Sequence, residues 1–452
     1  MEGKRFASKA DLARIGVPED FDEPLILVFK MVSDNGANIK SAWNQDGRWV
    51  PCFDHTLELC TLPVTWVQKH QGDETIPKGS IAEAYMYGHG RGIVGYLHVS
   101  PIAESDFHAC QKRCGLPQTN IDLDVKTRWR TAHDMGEQLV YNKRAVLEMD
   151  KNAKYKDPGE TWGKNKITMT MWDFLEEGSA VLTKAAEASQ FLEGDTYPTS
   201  SLVIPMAFAL MASSSPIEQL KFHNRAEDEL NDDSLNPVKV PHDALSNKMQ
   251  TARELYHESL ITRFDSDVPR NVKQFWFIAA LCDPRFKKLV FKHDCLLTDQ
   301  MRARALLWFK AEFNKNFKGK VAAAAQPAAP PDGPHQPHLK RRKTSASGFF
   351  AESDLEESEE EEAQGPYDEL EAYLALPQIK YKTESDATEW WRTHSKEFPN
   401  VAVMARQYLG CPASSAAVER LFSQVGIAFA AKRKRSEAAT LEDIMFTRFN
   451  LP

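Results

Sequence analysis

Several things are missing from this sequence, and each absence narrows what the protein can be. No apolar run reaches the roughly 18 residues that a membrane-spanning helix requires, so no membrane span is expected. The first residues, MEGKRFASKADLARIG, lack the apolar core of a secretory signal. Cysteine is sparse and odd in number, seven in 452 residues, which fits reduced thiols of the cytosol or nucleus and not a disulfide scaffold. Positive charge is in deficit: a formal net charge of −8 argues against a chain coated in basic surface, although acid gathered in one segment can mask a basic face elsewhere. No serine sits in a nucleophile-elbow motif. What remains, 42% hydrophobic and 27% charged residues, is an ordinary globular composition in a chain long enough for two or three domains.

The acid is indeed gathered. Residues 318–366 run through Ala/Pro, basic and acidic blocks, the last of them SDLEESEEEE, and such blocks cannot bury enough apolar area to fold. A disordered linker is expected there. Its Leu339 to Lys343, LKRRK, reads either as a nuclear import signal or as a solvated charge run.

The linker separates a long N-terminal part from a short C-terminal one, and the N-terminal part changes character near residue 135. Leu25 to Val32 is nearly continuous in apolar residues and stops at Asp34, the pattern of a buried strand with an acid at its C-terminal end. NIKSAW then reads as the start of a helix, and Arg48 to Cys60 as a second short strand and helix. Residues 136–317 have helical periodicity: Trp172, Leu175, Leu182 and Ala186 share one face, as do Met249, Ala252 and Tyr256, and the apolar helix from Phe275 ends at a proline. The fold class expected is therefore α/β followed by all-α, in four segments, 1–135, 136–317, 318–366 and 367–452.

Two apparent motifs carry little. Gly90 to Gly95, GRGIVG, satisfies G-x-G-x-x-G, but no buried strand leads into it, so a glycine-rich surface loop is expected instead of a dinucleotide site. Cys52 and His55, with His108, Cys110 and Cys114, supply zinc ligands on paper, at a spacing that matches no finger. More informative is ASSAAVERLF, residues 413–422. Pro412, Ser414 and Ser415 suit a helix start, and Val418, Leu421, Phe422, Val425 and Phe429 follow helical spacing. Glu419 lies at the edge of that stripe, beside small residues that admit a close neighbour. Alone, it reads as a first-turn acid favoured by the helix dipole and paired with Arg420.

The company it keeps changes that reading. The C-terminal part, Ala387 to Gly426 followed by KRKR at Lys432 to Arg435 and TLEDIMFTRFN at Thr440 to Asn450, resembles the dimerisation region of the hAT superfamily of DNA transposases. The same family is matched at Val32 to Trp43, at CFDHTLEL (Cys52 to Leu59), at Leu123 to Met135 and at LCDPRFK (Leu281 to Lys287). The resemblance implies an RNase H-like core at 1–135, interrupted by the helical insertion and completed by a helix of the C-terminal dimerisation region. It makes Asp34 the second catalytic aspartate and Glu419 the catalytic glutamate, a weak Mg²⁺ or Mn²⁺ pair. In such chemistry two divalent ions about 3.5–4 Å apart are held by three carboxylates. It places His55 beside that site, and Arg128 and Trp129 where phosphate and an unpaired base are held. Lys126 and Arg130, and Arg433 and Arg435 in the basic run, are candidate phosphate contacts.

The sequence also departs from the family. None of Asp11, Asp20 or Asp22 is followed by tryptophan or lies on a buried strand, so the first aspartate of the triad is expected to be absent, as is a BED-type zinc finger. The expectation is a truncated or domesticated transposase derivative in the nucleus. It should self-associate through Trp390, Trp391, Leu409, Leu421 and Phe422 as an intermolecular or interdomain apolar surface, bind DNA weakly and without sequence preference, and not cut it. The alternatives are an active or complementable metal-dependent transposase, and a transcription-associated scaffold that touches no DNA.

Overall fold

The computed structural model describes residues 30–34, 36–44, 47–65, 88–125, 129–157, 159, 161–222, 238–319, 368–380 and 387–420. Two short strands, β1 (Met31–Ser33) and β2 (Trp49–Pro51), pair in parallel, Met31 opposite Trp49 and Ser33 opposite Pro51. Parallel strands cannot be joined by a hairpin, and helix α1 (Ala37–Asn44) makes the connection. Helix α2 (Phe53–Thr65) follows directly. The strand, helix, strand, helix order is the one expected over these residues. Met31 and Val32 are half-buried, and the stretch Leu25 to Phe29 lies outside the described residues. This pair is α/β in character but does not by itself specify an RNase H-like sheet.

Helices dominate the rest: α3 (His89–Val99), α4 (Pro101–Arg113), α5 (Trp129–Tyr141), α6 (Lys143–Met149), α7 (Met169–Leu192), α8 (Val203–Ser214), α9 (Asn247–Ile261), α10 (Arg270–Leu281), α11 (Asp299–Asn316), α12 (Glu369–Ala375), α13 (Ala387–His394) and α14 (Pro399–Leu409). Their starts follow local chemistry. Ser100 Oγ accepts from the amide of Ala103, ahead of a proline in the first turn of α4, and Thr168 and Thr298 cap α7 and α11 in the same way. A short antiparallel pair, β3 (Leu220–Phe222) with β4 (Val238–Val240), leaves the bundle after α8. Among the described residues no helix is long and apolar enough to cross a membrane.

The apolar faces read from the sequence are the faces buried. Trp172, Leu175 and Leu182 of α7 and Met249 and Tyr256 of α9 are sealed, while α8 is apolar on every side and occupies the centre. One contiguous core runs from Val50 through the helical block to Ala413, so the N-terminal strands and the C-terminal helices share an interior. Beyond α9 the chain continues as a five-residue π-helix, Thr262–Ser266, which wedges Phe264 against Phe53 of α2 at a ring distance of 4.8 Å.

LCDPRFK is the hub that docks the C-terminal helices. Asp283 accepts from the amide, Nε and Nη2 of Arg285 and from Ser201 Oγ. With these turns fixed, the free carbonyls at the end of α10 face the C-terminal part: Leu281 accepts from Tyr373 OH at 2.9 Å, and Cys282 from Trp391 Nε1 at 2.8 Å. Lys287 returns the contact, Nζ donating to the Tyr373 carbonyl at 2.6 Å. These bonds satisfy carbonyls that a helix terminus otherwise orphans.

One sequence expectation is overturned here. GRGIVG is not a loop but lies inside α3. A Cβ at Gly92 would sit 2.3 Å from the Asn165 side chain, so the glycine permits close packing against residue 165, and that outweighs glycine's intrinsic cost of about 1 kcal/mol in a helix.

Candidate functional site

Asp34 follows the last residue of β1. Its Oδ1 accepts from the amide of Gly36 at 3.2 Å, an Asx-type turn that opens α1. Any side chain at position 36 would crowd this carboxylate, since a Cβ there would lie 3.0 Å from Oδ1. The carboxylate is exposed. Ser33, one residue earlier, is fixed from both sides: its hydroxyl accepts from Trp49 Nε1 and its carbonyl from the amide of Cys52 at 2.7 Å.

Cys52 then ties this strand end to the far end of the chain. Its Sγ accepts from the amide of Ser415 at 3.3 Å and donates to Ser414 Oγ at 3.6 Å, across 363 and 362 positions. The amide of Phe53 donates to the carbonyl of Ala413 at 2.9 Å, and the amide of Ala413 to Thr199 Oγ1 at 2.9 Å. Ser200 Oγ donates to the carbonyl of Tyr408. Residues 408–415 are thus held against the strand pair on one side and the start of α8 on the other. From this anchor a helix begins at residue 416, with Ser414 Oγ accepting from the amide of Ala416.

Glu419 rides on that helix, exposed, its Oε1 accepting from Ser415 Oγ at 3.0 Å. The pairing with Arg420 expected from proximity in sequence is not made. Arg420 turns to the end of α7 and bonds Asp195 at 2.7 Å and the carbonyl of Glu193 at 3.1 Å.

His55, in the first turn of α2, reports what this arrangement brings together. Its ring pairs with Glu58 at 3.4 Å. Its pKa is raised, first by the Glu58 hydrogen bond and against its partial burial, and further by the negative charges of Glu58, Asp34 and Glu419. Asp34 and Glu419 therefore act on one imidazole from opposite ends of the chain. They do not complete a set of divalent-metal donors: among the described residues no group of three or more His, Cys, Asp and Glu side chains is placed to hold an ion. Among the described residues, two carboxylates and one histidine supply fewer carboxylate donors than the three of a two-metal site.

Several other expectations change. Trp129, the first residue of α5, is packed in the core and is not open to a base. Arg130 is engaged within the chain, by Asp134 at 3.7 Å and Glu193 at 3.4 Å. Trp391 and Leu409 are buried against their own chain, Trp391 through its bond to Cys282, so of the two surfaces expected the interdomain one matches their contacts. Trp390 is half-buried, stacked on His394 at 3.9 Å and edge-on to Trp391. The cysteines and histidines of the paper zinc site are spent elsewhere: His108 bonds Asn120, Cys110 accepts from Arg113, and Cys52 holds Ser415. Lys126, Arg128, Leu421, Phe422, Arg433 and Arg435, with nearly all of the 318–366 linker, lie outside the described residues.

Sequence reasoning passed over Asp54. Both of its carboxylate oxygens are sealed from solvent and have no hydrogen-bond partner. Burial pushes its pKa up to about 7, with the charge of Glu193 adding to the rise and the nearby hydroxyls of Ser414 and Ser189 and the charge of Arg130 opposing it. It lies inside the CFDH element, where the cysteine and histidine draw the eye.

Residues 369–451 match the family model of the hAT family C-terminal dimerisation region. Along most of its length the chain is 22% identical to the human protein named Zinc finger BED domain-containing protein 4, over 93% of this chain and 31% of that protein. It is also 22% identical to the Putative AC transposase of Zea mays, over 79% of this chain and 40% of that protein. A third relative, Zinc finger BED domain-containing protein RICESLEEPER 1 of Oryza sativa subsp. japonica, is 22% identical over 72% of this chain and 41% of its own length. The chain thus spans about a third to two-fifths of the curated relatives it matches. Residues 369–451 thus match the hAT dimerisation region, and along the rest of its length the chain is similar to relatives that include a protein named as an AC transposase.

Proposed function

We propose that this chain is a nuclear, transposase-derived protein that self-associates through its C-terminal region, binds DNA electrostatically, and does not cleave DNA alone. The observation that carries the reading is the hydrogen bonding of residues 413–415 to Cys52 and Phe53, which brings the segment of Glu419 to the strand end that carries Asp34, the two acids the family resemblance assigns to catalysis. The turn that starts the Glu419 helix is anchored through Ser414 and Ser415 to Cys52, beside the end of β1. The relatives named for an AC transposase and for BED zinc fingers support a nuclear, DNA-associated setting. Lys126, Arg128, Arg433 and Arg435 supply phosphate contacts in this reading, and binding of that kind weakens steeply with salt.

The test is a plasmid nicking assay with Mg²⁺ and with Mn²⁺, run beside DNA binding at about 50 and 200 mM salt. The proposal expects no metal-dependent nicking and affinity that falls steeply across that interval. Robust nicking lost in Glu419→Ala supports the second reading, an enzyme whose retained acids suffice or are completed by another chain. Absence of any DNA binding at low salt supports a scaffold.

A further inference from the structure

We propose that Asp54 is a proton-operated latch on the segment that carries Glu419, closed when the carboxyl is protonated and loosened when it ionises.

Three consecutive residues grip residues 413–415. Cys52 Sγ holds the amide of Ser415, the amide of Phe53 holds the carbonyl of Ala413, and the Asp54 carboxyl lies beside Ser414. The bond between Phe53 and Ala413 joins backbone groups and is indifferent to pH. The third is not, because a carboxylate sealed from water without a hydrogen-bond partner is disfavoured unless it takes up a proton or its surroundings open. Every element packed around it contributes. From α7 come Ser189 and the negative charge of Glu193; from α5 comes Arg130; from the C-terminal segment comes Ser414. Arg130, the one cation in this set, is divided between Asp134 and Glu193, and its buried Nε is itself unpartnered. The first turn of α2 favours the charged form through the helix dipole, but burial is the larger effect.

The consequence has a definite sign. The folded carboxyl titrates near 7 and an exposed aspartate near 3.8. Opening the latch therefore releases a proton, and the opening equilibrium increases with pH between these values by up to tenfold per unit, then levels off above 7. Low pH holds the Glu419 helix more firmly in place, and at neutral or higher pH it opens more often. This inference extends the functional reading to control of the same site, yet it concerns docking and requires neither DNA nor metal. A failed nicking or DNA-binding experiment leaves it standing, and its own failure leaves that reading intact.

The experiment is amide hydrogen exchange of the full chain at several pH values from 5 to 8, corrected for intrinsic exchange, following peptides that cover residues 413–420. Protection is expected to fall by at least tenfold between pH 5 and 7 and then to flatten. In Asp54→Asn, which keeps the shape and removes the titration, protection should be independent of pH. In Glu193→Gln, which removes the neighbouring negative charge, the fall should move to lower pH. Wild-type protection that is flat from pH 5 to 7, or a fall that persists unchanged in Asp54→Asn, overturns the proposal. Should Asp54→Asn fail to fold, an unmoved midpoint in Glu193→Gln overturns it instead.

Discussion

The amide of Phe53 donates to the carbonyl of Ala413 at 2.9 Å, joining the residue that opens α2 to the one that precedes the Glu419 helix. Around this bond the strand pair, the start of α2 and residues 408–420 meet. Short of proline at position 53, no side-chain substitution removes it, but its neighbours can be cut.

Thr199 is the first such neighbour, since its hydroxyl accepts from the amide of Ala413 in a buried setting. Thr199→Val keeps the shape and orphans that amide, which costs about 1–3 kcal/mol. Chemical denaturation should show this loss and should show most of it recovered in Thr199→Ser. Equal stability of Thr199→Val and wild type would remove the anchor from the account.

Lys287 gives a prediction about pH. Burial, helped by Lys288, lowers its pKa to about 7 from an ordinary 10.5, so the folded state binds this proton more weakly than the unfolded chain does. Stability due to this residue is full above 10.5, is lost as pH falls toward 7, and is lowest below 7. Lys287→Met should therefore be the more stable protein at pH 6, by roughly 2 kcal/mol once the lost bond to Tyr373 is counted, with the gap narrowing toward pH 9.5. Urea titrations of both proteins at the two pH values decide it, and a gap that widens as pH rises contradicts the burial argument.

Two glycines of α3 should part company. Gly95 has open space where a Cβ would go, whereas at Gly92 the Asn165 side chain stands 2.3 Å away. Gly95→Ala is expected to raise stability by about 0.5–1 kcal/mol through helix propensity. At Gly92 the same change must displace Asn165 from its bond to the Thr161 carbonyl and lower stability by about 1 kcal/mol or more. Thermal denaturation of the pair would read both signs.

The contrast between these glycines marks where sequence reasoning ends. Periodicity located the buried faces of α7 and α9 because those faces are repeated every turn. It could not reveal that GRGIVG is helical, because the reason, close approach to Asn165, lies about 70 residues away. In the same way Asp34 was visible as the acid ending an apolar strand, and Glu419 as an acid on a helix face of small residues. What joins them is a thiol, a backbone amide and a threonine hydroxyl, none of which leaves a local pattern. Trp391 was left between two surfaces for a related reason. An aromatic pair on an amphipathic helix announces that it will be covered, not whether the cover is Cys282 of its own chain or a second molecule.

The central claim is that the fold brings Asp34 and Glu419 to one place, and the His55 imidazole is the gauge. Both charges raise its pKa, after the larger effect of Glu58. Titration of the His55 ring by NMR in the wild type, in Asp34→Asn and in Glu419→Gln is the direct measurement. The account predicts a lower His55 pKa in each variant than in the wild type, and the lowest when both substitutions are combined. A His55 titration that Glu419→Gln leaves unmoved, while Asp34→Asn lowers it, would mean that the helix from residue 416 does not reach the strand end, and the convergence on which the functional reading rests would be gone.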